Sequence, residues 1–203
     1  VVAPMQHELG PFTVADWHAL PPREDGSRLE LIEGYWLVTP APSGQHQFAE
    51  KRVVNLLDSA IAAAEEATSP AERQELTALS GISVEVSTAD RTGIIPDFAV
   101  LAVAPVGTTF RPSDALLIGE IWSPGNTFAE QRRKFEACER EKIPFFWSIA
   151  QDNLGPTELV TYRLIGRRYE QENHLKLGDG ALAITASPVP VEVDIAHLRY
   201  SRR

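Results

Sequence analysis

The sequence predicts an α/β (α+β) domain in which a central mixed β-sheet is flanked by helices. Three observations carry this expectation. Phe48, Val53, Leu56, Leu57, Ala60 and Ile61 recur at spacings of three and four, the mark of a long amphipathic helix starting near Ser43. Short apolar runs then follow, "ISVEVS", "IIPDFAVLAV" and "ALLIGEIW", which read as strands. A second helical pattern, "TFAEQRRKFEACEREK", separates these from "PFFWSIA" and the hairpin-like "TELVTYRLIGRRYEQEN", so helices occur on both sides of a strand cluster.

The elements can be justified in chain order. "FTVADWHAL" opens on Thr13 and has helical apolar spacing, which gives a short leading helix before a Pro-Pro and Glu-Asp-Gly turn. Residues 1–27 are read as an extension of this kind, and 28–203 as a single domain. "RLELIEGYWLVTP" alternates Leu29 and Leu31 against Glu30 and Ile32, and breaks at Glu33-Gly34, so two strands form a hairpin. The long helix places His46 in its first turn. In "SPAERQEL", Ser69, Pro70 and Glu72 satisfy the capping-box pattern, predicting a second short helix or a resumed one. Thr127 and Glu130 form another capping box ahead of the later helix, whose Phe128, Phe135 and Cys138 are expected to face the core with Lys134 at the edge of that face.

Composition narrows the function. The chain has 203 residues, 43% hydrophobic and 23% charged, which is enough for one full core and unlike a disordered or fibrous sequence. No run has the roughly 18 apolar residues of a membrane span, and no secretory signal pattern opens the chain. With Cys138 the only cysteine, there is no disulfide framework or cysteine-based zinc site, and a cytoplasmic location is expected. The formal net charge of -9 argues against a broad basic face for nucleic acid.

Two carboxylates stand out because each lies in an apolar strand, where an unpartnered charge is costly. Asp97 follows Pro96, and Glu120 precedes Ile121 and Trp122. If neighbouring strands bring them together, a cation must lie between them or one must be protonated, and hard oxygen donors suit Mg²⁺ or Mn²⁺. The plainer alternative caps a turn with Asp97 and turns Glu120 to solvent. Lys134 could reach the strand ends from its helix, or pair with Glu130 on the surface. Arg132 and Arg133 read as solvated, with phosphate contact as the alternative. A Gly-rich phosphate loop and a nucleophile elbow are both missing, and His7, His18, His46, His174 and His197 have no metal-ligand spacing. His46 is the exception worth weighing, since a helix start attracts phosphate.

In this order, "LELIEGYWLVTPAPSGQHQ", "IIPDFAV", "IGEIWSPGN" and "RRKFEACEREKIPFFW" resemble the Uma2 family (DUF820) of the PD-(D/E)XK nuclease superfamily, over roughly residues 28–175. The resemblance implies a restriction-endonuclease-like core and an endonuclease that cleaves phosphodiester bonds with Mg²⁺ or Mn²⁺. It implies Asp97 and Glu120 as metal ligands and Lys134 and Glu30 as further catalytic residues, and His46 matches the family's Ser-to-His segment; His46 and, from its charge, Arg133 are the candidates for contact with the substrate. DNA is the expected partner, RNA an alternative, and a homodimer would suit cutting of both strands. Trp122 stands where the superfamily has a lysine, Tyr35 where relatives usually have an acid, Glu130 where they often have Asp and Cys138 where they often have Tyr. These departures leave open a nuclease-fold protein that binds without cleaving.

Overall fold

The computed structural model describes residues 10–21 and 23–201; His7 and the second proline of the Pro-Pro turn lie outside the described residues. The chain runs α1 (Val14–Ala19), β1 (Arg28–Ile32), β2 (Tyr35–Thr39), α2 (Gly44–Ala67), β3 (Thr77–Leu79), β4 (Ser83–Ser87), β5 (Thr92–Ile94), β6 (Phe98–Leu101) and β7 (Thr109–Phe110). A 3-10 turn at Pro112–Asp114 leads into β8 (Ala115–Trp122), α3 (Phe128–Arg140), β9 (Phe145–Asp152), β10 (Gly155–Ile165) and β11 (Arg168–Lys176). The chain closes with β12 (Leu182–Ile184), β13 (Val191–Val193) and α4 (Ile195–Leu198).

The expected central sheet is a six-stranded one in the order β11-β10-β9-β8-β6-β3, and it is mixed because β8 and β9 run parallel while its other pairs are antiparallel. A second, five-stranded sheet, β2-β1-β5-β4-β7, was not legible as a separate layer. Alternation along the strands sends side chains to two cores. Phe98, Val100, Leu117 and Ile121 pack with Ala49, Val53 and Leu57 of α2. Ala99, Leu101, Ile118 and Trp122 pack with Ile32, Val84 and Ile94 of the five-stranded sheet and Ala137 and Cys138 of α3.

The turn chemistry of the first hairpin is as read: Glu33 (φ 53°) and Gly34 (φ 84°) are both left-handed, as a two-residue turn between right-twisted strands requires. The leading helix joins the five-stranded sheet through Trp17, whose Nε1 donates to the Leu29 carbonyl at 2.7 Å. Its ring lies over Gly93, where an added Cβ would be 2.2 Å from a ring carbon.

Three expectations are corrected. "SPAERQEL" forms a turn, not a helix: the Ser69 hydroxyl donates to the Glu72 carboxylate at 2.6 Å, and the chain enters β3 before the costly first helical turn could be extended. Phe128 is 78% exposed at the first position of α3; the buried face is Lys134, Ala137, Cys138 and Glu139. "IIPDFAVLAV" is not one strand. Pro96 has no N–H to give to a ladder, and the chain leaves the five-stranded sheet at Ile94 and enters the six-stranded sheet at Phe98. Asp97 sits at that crossing.

Gly119 lies across from Phe98, and a Cβ there would come within 2.0 Å of the ring. Gly119→Ala should therefore lower stability by roughly 1–3 kcal/mol through overpacking, read as a fall in the denaturation midpoint at unchanged slope.

Candidate active site

One step beyond the Phe98–Gly119 pair, the antiparallel register sets Asp97 across from Glu120. The main chain of Ile121 donates to Asp97 Oδ2 at 2.7 Å, fixing that carboxylate to the edge of β8. Glu120 points to the same side as Ile118 and Trp122, towards the five-stranded sheet. From that sheet Glu30 of β1 faces it, and from α3 Lys134 enters between them: Nζ lies 2.8 Å from Glu30 Oε2 and 3.0 Å from Glu120 Oε1. Glu30, Glu120 and Lys134 are 1%, 3% and 5% exposed, so none is a surface pair. Glu130 is held elsewhere, accepting the Thr127 N–H at 2.8 Å in the capping box that the sequence predicts.

Three acids, Asp97, Glu120 and Glu30, thus face one ammonium, and α2 and the start of β1 bring further charged groups. His46 Nε2 is 2.9 Å from Asp97 Oδ1. Arg28 forks across two acids, Nη1 to Asp97 Oδ1 at 2.5 Å and Nη2 to Glu50 Oε2 at 3.3 Å. Behind the imidazole, Gln151 Nε2 lies 3.1 Å from His46 Nδ1 and donates to Ser123 Oγ at 2.9 Å. Arg28, Glu30, His46, Asp97, Glu120 and Lys134 all line one cavity of about 360 Å³. A second depression of about 580 Å³ opens at the start of α2 beside Gln45, Phe48, Asn153 and Tyr200, and shares Ser43 and Ser123 with the first.

Burial raises the Glu120 carboxyl to about 8; Lys134 pulls it down, while Asp97 and Glu30 add to the rise. Burial works against the Lys134 ammonium, but Glu120 and Glu30 outweigh it and hold the lysine charged well above its ordinary range. Burial also works to raise Asp97, and here His46, Arg28 and the Ile121 N–H prevail, keeping the carboxyl below its ordinary value. Within the described residues, His46, Glu50 and Asp97 offer donor atoms within 4.8 Å of one another, a group that could hold a metal ion.

The remaining sequence candidates fall outside this cluster. Arg133 is on the exposed face of α3 and does not line the cavity. Tyr35 is 58% exposed at the start of β2, so its replacement of an acid does not alter the cavity wall. Trp122 does line it, with the Lys134 ammonium 5.8 Å from its ring centroid. His18 and His174 lie on the surface beside Glu85 and Glu158, and His197 is exposed. Arg28, Glu50 and Gln151 were missed. Glu50 could have been found from its place one turn after His46, flanking the buried stripe of Ala49 and Val53.

The layered fold is α+β and nuclease-like. It matches the crystal structure of a putative nuclease belonging to DUF820 from Anabaena variabilis with a TM-score of 0.68 and 19% identity, covering 93% of this chain and 97% of that one. The model of the Uma2 family, described as putative restriction endonuclease, matches residues 14–193, and the chain belongs to that family. No curated protein matches it.

The state of Glu120 has a measurable sign. Between its ordinary 4.5 and about 8 the folded chain keeps a proton that the unfolded chain has released. The group's contribution to stability is therefore greatest below about 4.5 and falls as pH rises towards 8, by at most about 1.4 kcal/mol per unit. Glu120→Gln should flatten that fall in urea denaturation across this range; parallel curves for the two proteins would mean that Glu120 is ionised when folded.

Proposed function

We propose that the chain is an endonuclease that hydrolyses phosphodiester bonds in DNA with a divalent ion, Mg²⁺ or Mn²⁺. One observation carries the reading: Asp97, Glu120, Glu30 and Lys134, separated in sequence and borne by different elements, meet at one cavity. The donor chemistry fits such an ion, since the wall is rich in carboxylate oxygen and the carboxylates outnumber the cations beside them. Asp97 and Glu120 would hold it. When bound, the ion would polarise a phosphoryl oxygen and lower the pKa of a water beside it.

The chain's own groups divide the remaining work. Lys134 stays an ammonium at the cavity and would offset charge that builds on the phosphate in the transition state. Glu30 is a positioning residue, because both its oxygens are taken: Oε1 accepts the Ile95 N–H at 2.7 Å and Oε2 holds Lys134. His46 lies in the first turn of α2, where the helix dipole favours an anion. Arg133 would meet the nucleic-acid backbone beyond the cavity rather than the reacting phosphate. The adjoining depression at the start of α2 gives a polymer room to continue.

The family's description favours DNA over RNA, although the phosphate contacts would serve either. Two copies about a two-fold axis would allow both strands to be cut, and the cytoplasm suits such work. One observation favours a second reading, a binding protein without catalysis: Arg28 and Lys134 already pair the acids of the cavity.

Purified protein should nick or cut DNA with Mg²⁺ or Mn²⁺ and stop in excess EDTA, and Asp97→Asn and Glu120→Gln should each abolish cleavage while melting cooperatively. Cleavage undiminished in EDTA would remove the metal mechanism, and no cleavage of any nucleic acid would leave the binding reading.

Lys134→Ala should slow single-turnover cleavage by about 10²–10³-fold. Arg133→Ala should act on DNA affinity and leave that rate within a few-fold. Since losing Lys134 strands two buried carboxylates, the comparison is made on protein shown by its melt to be folded. Equal small effects would confine Lys134 to a structural role.

A further inference from the structure

Resting on the metal-dependent reading above, we propose that Arg28 and a divalent ion compete for the same acid oxygens of the cavity. The ion, on binding, takes His46 and Glu50 of α2 as ligands together with Asp97, and Arg28 gives up both acids. The site thereby extends past the strand carboxylates to a helix, and gains a nitrogen donor.

The distances support this exchange. The two oxygens that Arg28 forks across, Asp97 Oδ1 and Glu50 Oε2, are the same two that His46 Nε2 faces, at 2.9 and 3.9 Å. In an octahedral shell with donors about 2.1 Å from the ion, neighbouring donors are about 3.0 Å apart and opposite donors about 4.2 Å. The two separations from His46 Nε2, 2.9 and 3.9 Å, are close to that range, all three groups offer donor atoms within 4.8 Å of one another, and the guanidinium is a positive group that bridges the same two oxygens.

Gln151 supplies a second and independent sign. Its Nε2 lies 3.1 Å from His46 Nδ1, and with the amide in this orientation Nε2 is the donor, which goes with a neutral ring whose proton is on Nε2, facing Asp97. A ligating Nε2 must be bare, which moves the proton to Nδ1 and requires an acceptor behind the ring. That acceptor is present. Gln151 is 92% buried by its 8% exposure, and its Oε1 has no hydrogen-bond partner. Turning the amide presents Oε1 to an Nδ1–H, and the Ser123 hydroxyl can donate to the same oxygen. The orphaned atom is thus the partner that the metal-bound tautomer needs.

Two consequences follow from the chemistry. An imidazole added to the carboxylates suits Mn²⁺ better than Mg²⁺, which prefers oxygen throughout. Arg28, once released, is the guanidinium at the cavity wall and can meet a phosphate there.

The test adds Mn²⁺ alone to the ion-free full chain. Pulsed electron paramagnetic resonance should detect ¹⁴N coupling from a directly bound imidazole, and His46→Gln should abolish it. In calorimetric titration Glu50→Gln should weaken Mn²⁺ binding by about 10-fold or more, as loss of a liganding group does. Arg28→Gln should tighten Mn²⁺ binding by a similar factor, because it removes the competing cation. Wild-type protein saturated with Mn²⁺ and lacking nitrogen coupling would overturn the ligand set, and that measurement needs no variant to fold. Unchanged or weaker affinity in folded Arg28→Gln would overturn the exchange. DNA cleavage without imidazole coupling would sink this inference and spare the nuclease reading; Mn²⁺ held by His46 in a protein that cuts nothing would do the reverse.

Discussion

The Lys134 ammonium, buried between Glu30 and Glu120, is the contact on which the arrangement of layers depends. Taking one ion out of water costs several kcal/mol even after relaxation, so a buried lysine persists only where its partners are close and fixed. Here they belong to different layers, Glu30 to the five-stranded sheet and Glu120 to the six-stranded sheet, while the lysine belongs to α3. One ammonium therefore ties the two sheets and α3 together. It also explains how β8 tolerates a glutamate among Ile118, Ile121 and Trp122: the acid is on the inner face, and its counter-charge arrives from the helix that follows.

Asp97 makes the matching junction from the other side. The break at Pro96 transfers the chain from one sheet to the other, and a backbone that leaves a ladder exposes donors that need new partners. Glu30 takes the Ile95 N–H, and Asp97 takes the Ile121 N–H. The same two acids then bind Lys134 and Arg28 through their remaining oxygens. Structural and electrostatic duties are thus combined in single side chains. The cost is an excess of acid: Glu30, Glu50, Asp97 and Glu120 face Arg28 and Lys134, and Glu120 responds to that excess and to burial by holding its proton towards about 8.

Much of this was legible because periodicity and caps are local. The Ser43 and Thr127 caps, the Glu33-Gly34 hairpin and the alternation in β1 and β8 are set by neighbours within four residues. What was lost in the sequence was set by distant contacts. The capping-box pattern at Ser69 was answered by a turn because the chain's next task was β3. Phe128 fits a helical apolar face but, at the first position of α3, stays exposed. The segment after residue 176, with β12, β13 and α4, gave no strong pattern, yet it covers the α2 face, and Trp147 Nε1 donates to the Ala186 carbonyl at 2.7 Å. Asp97 and Glu120 could be named because charges in apolar strands demand partners, Lys134 because its helix position lets it reach the strand ends, and Glu30 only through the family resemblance. Arg28 and Glu50 could not, since one begins a strand and the other flanks a helix face, positions where charge ordinarily meets water.

On the endonuclease reading, the charge inventory also orders the events. A chain of formal charge -9 has no general attraction for a polyanion, and the two cations deepest in the cavity are already paired with carboxylates. A phosphate approaching the ion-free cavity would meet more acid than base. A divalent ion faces the opposite balance, attracted by the same excess that repels the phosphate. Its arrival would offset the negative charge of the wall and change the sign of the field there. Occupation of the cavity by the ion would therefore come before the nucleic acid, and the acids that make β8 expensive to bury would act as the gate on the substrate's access.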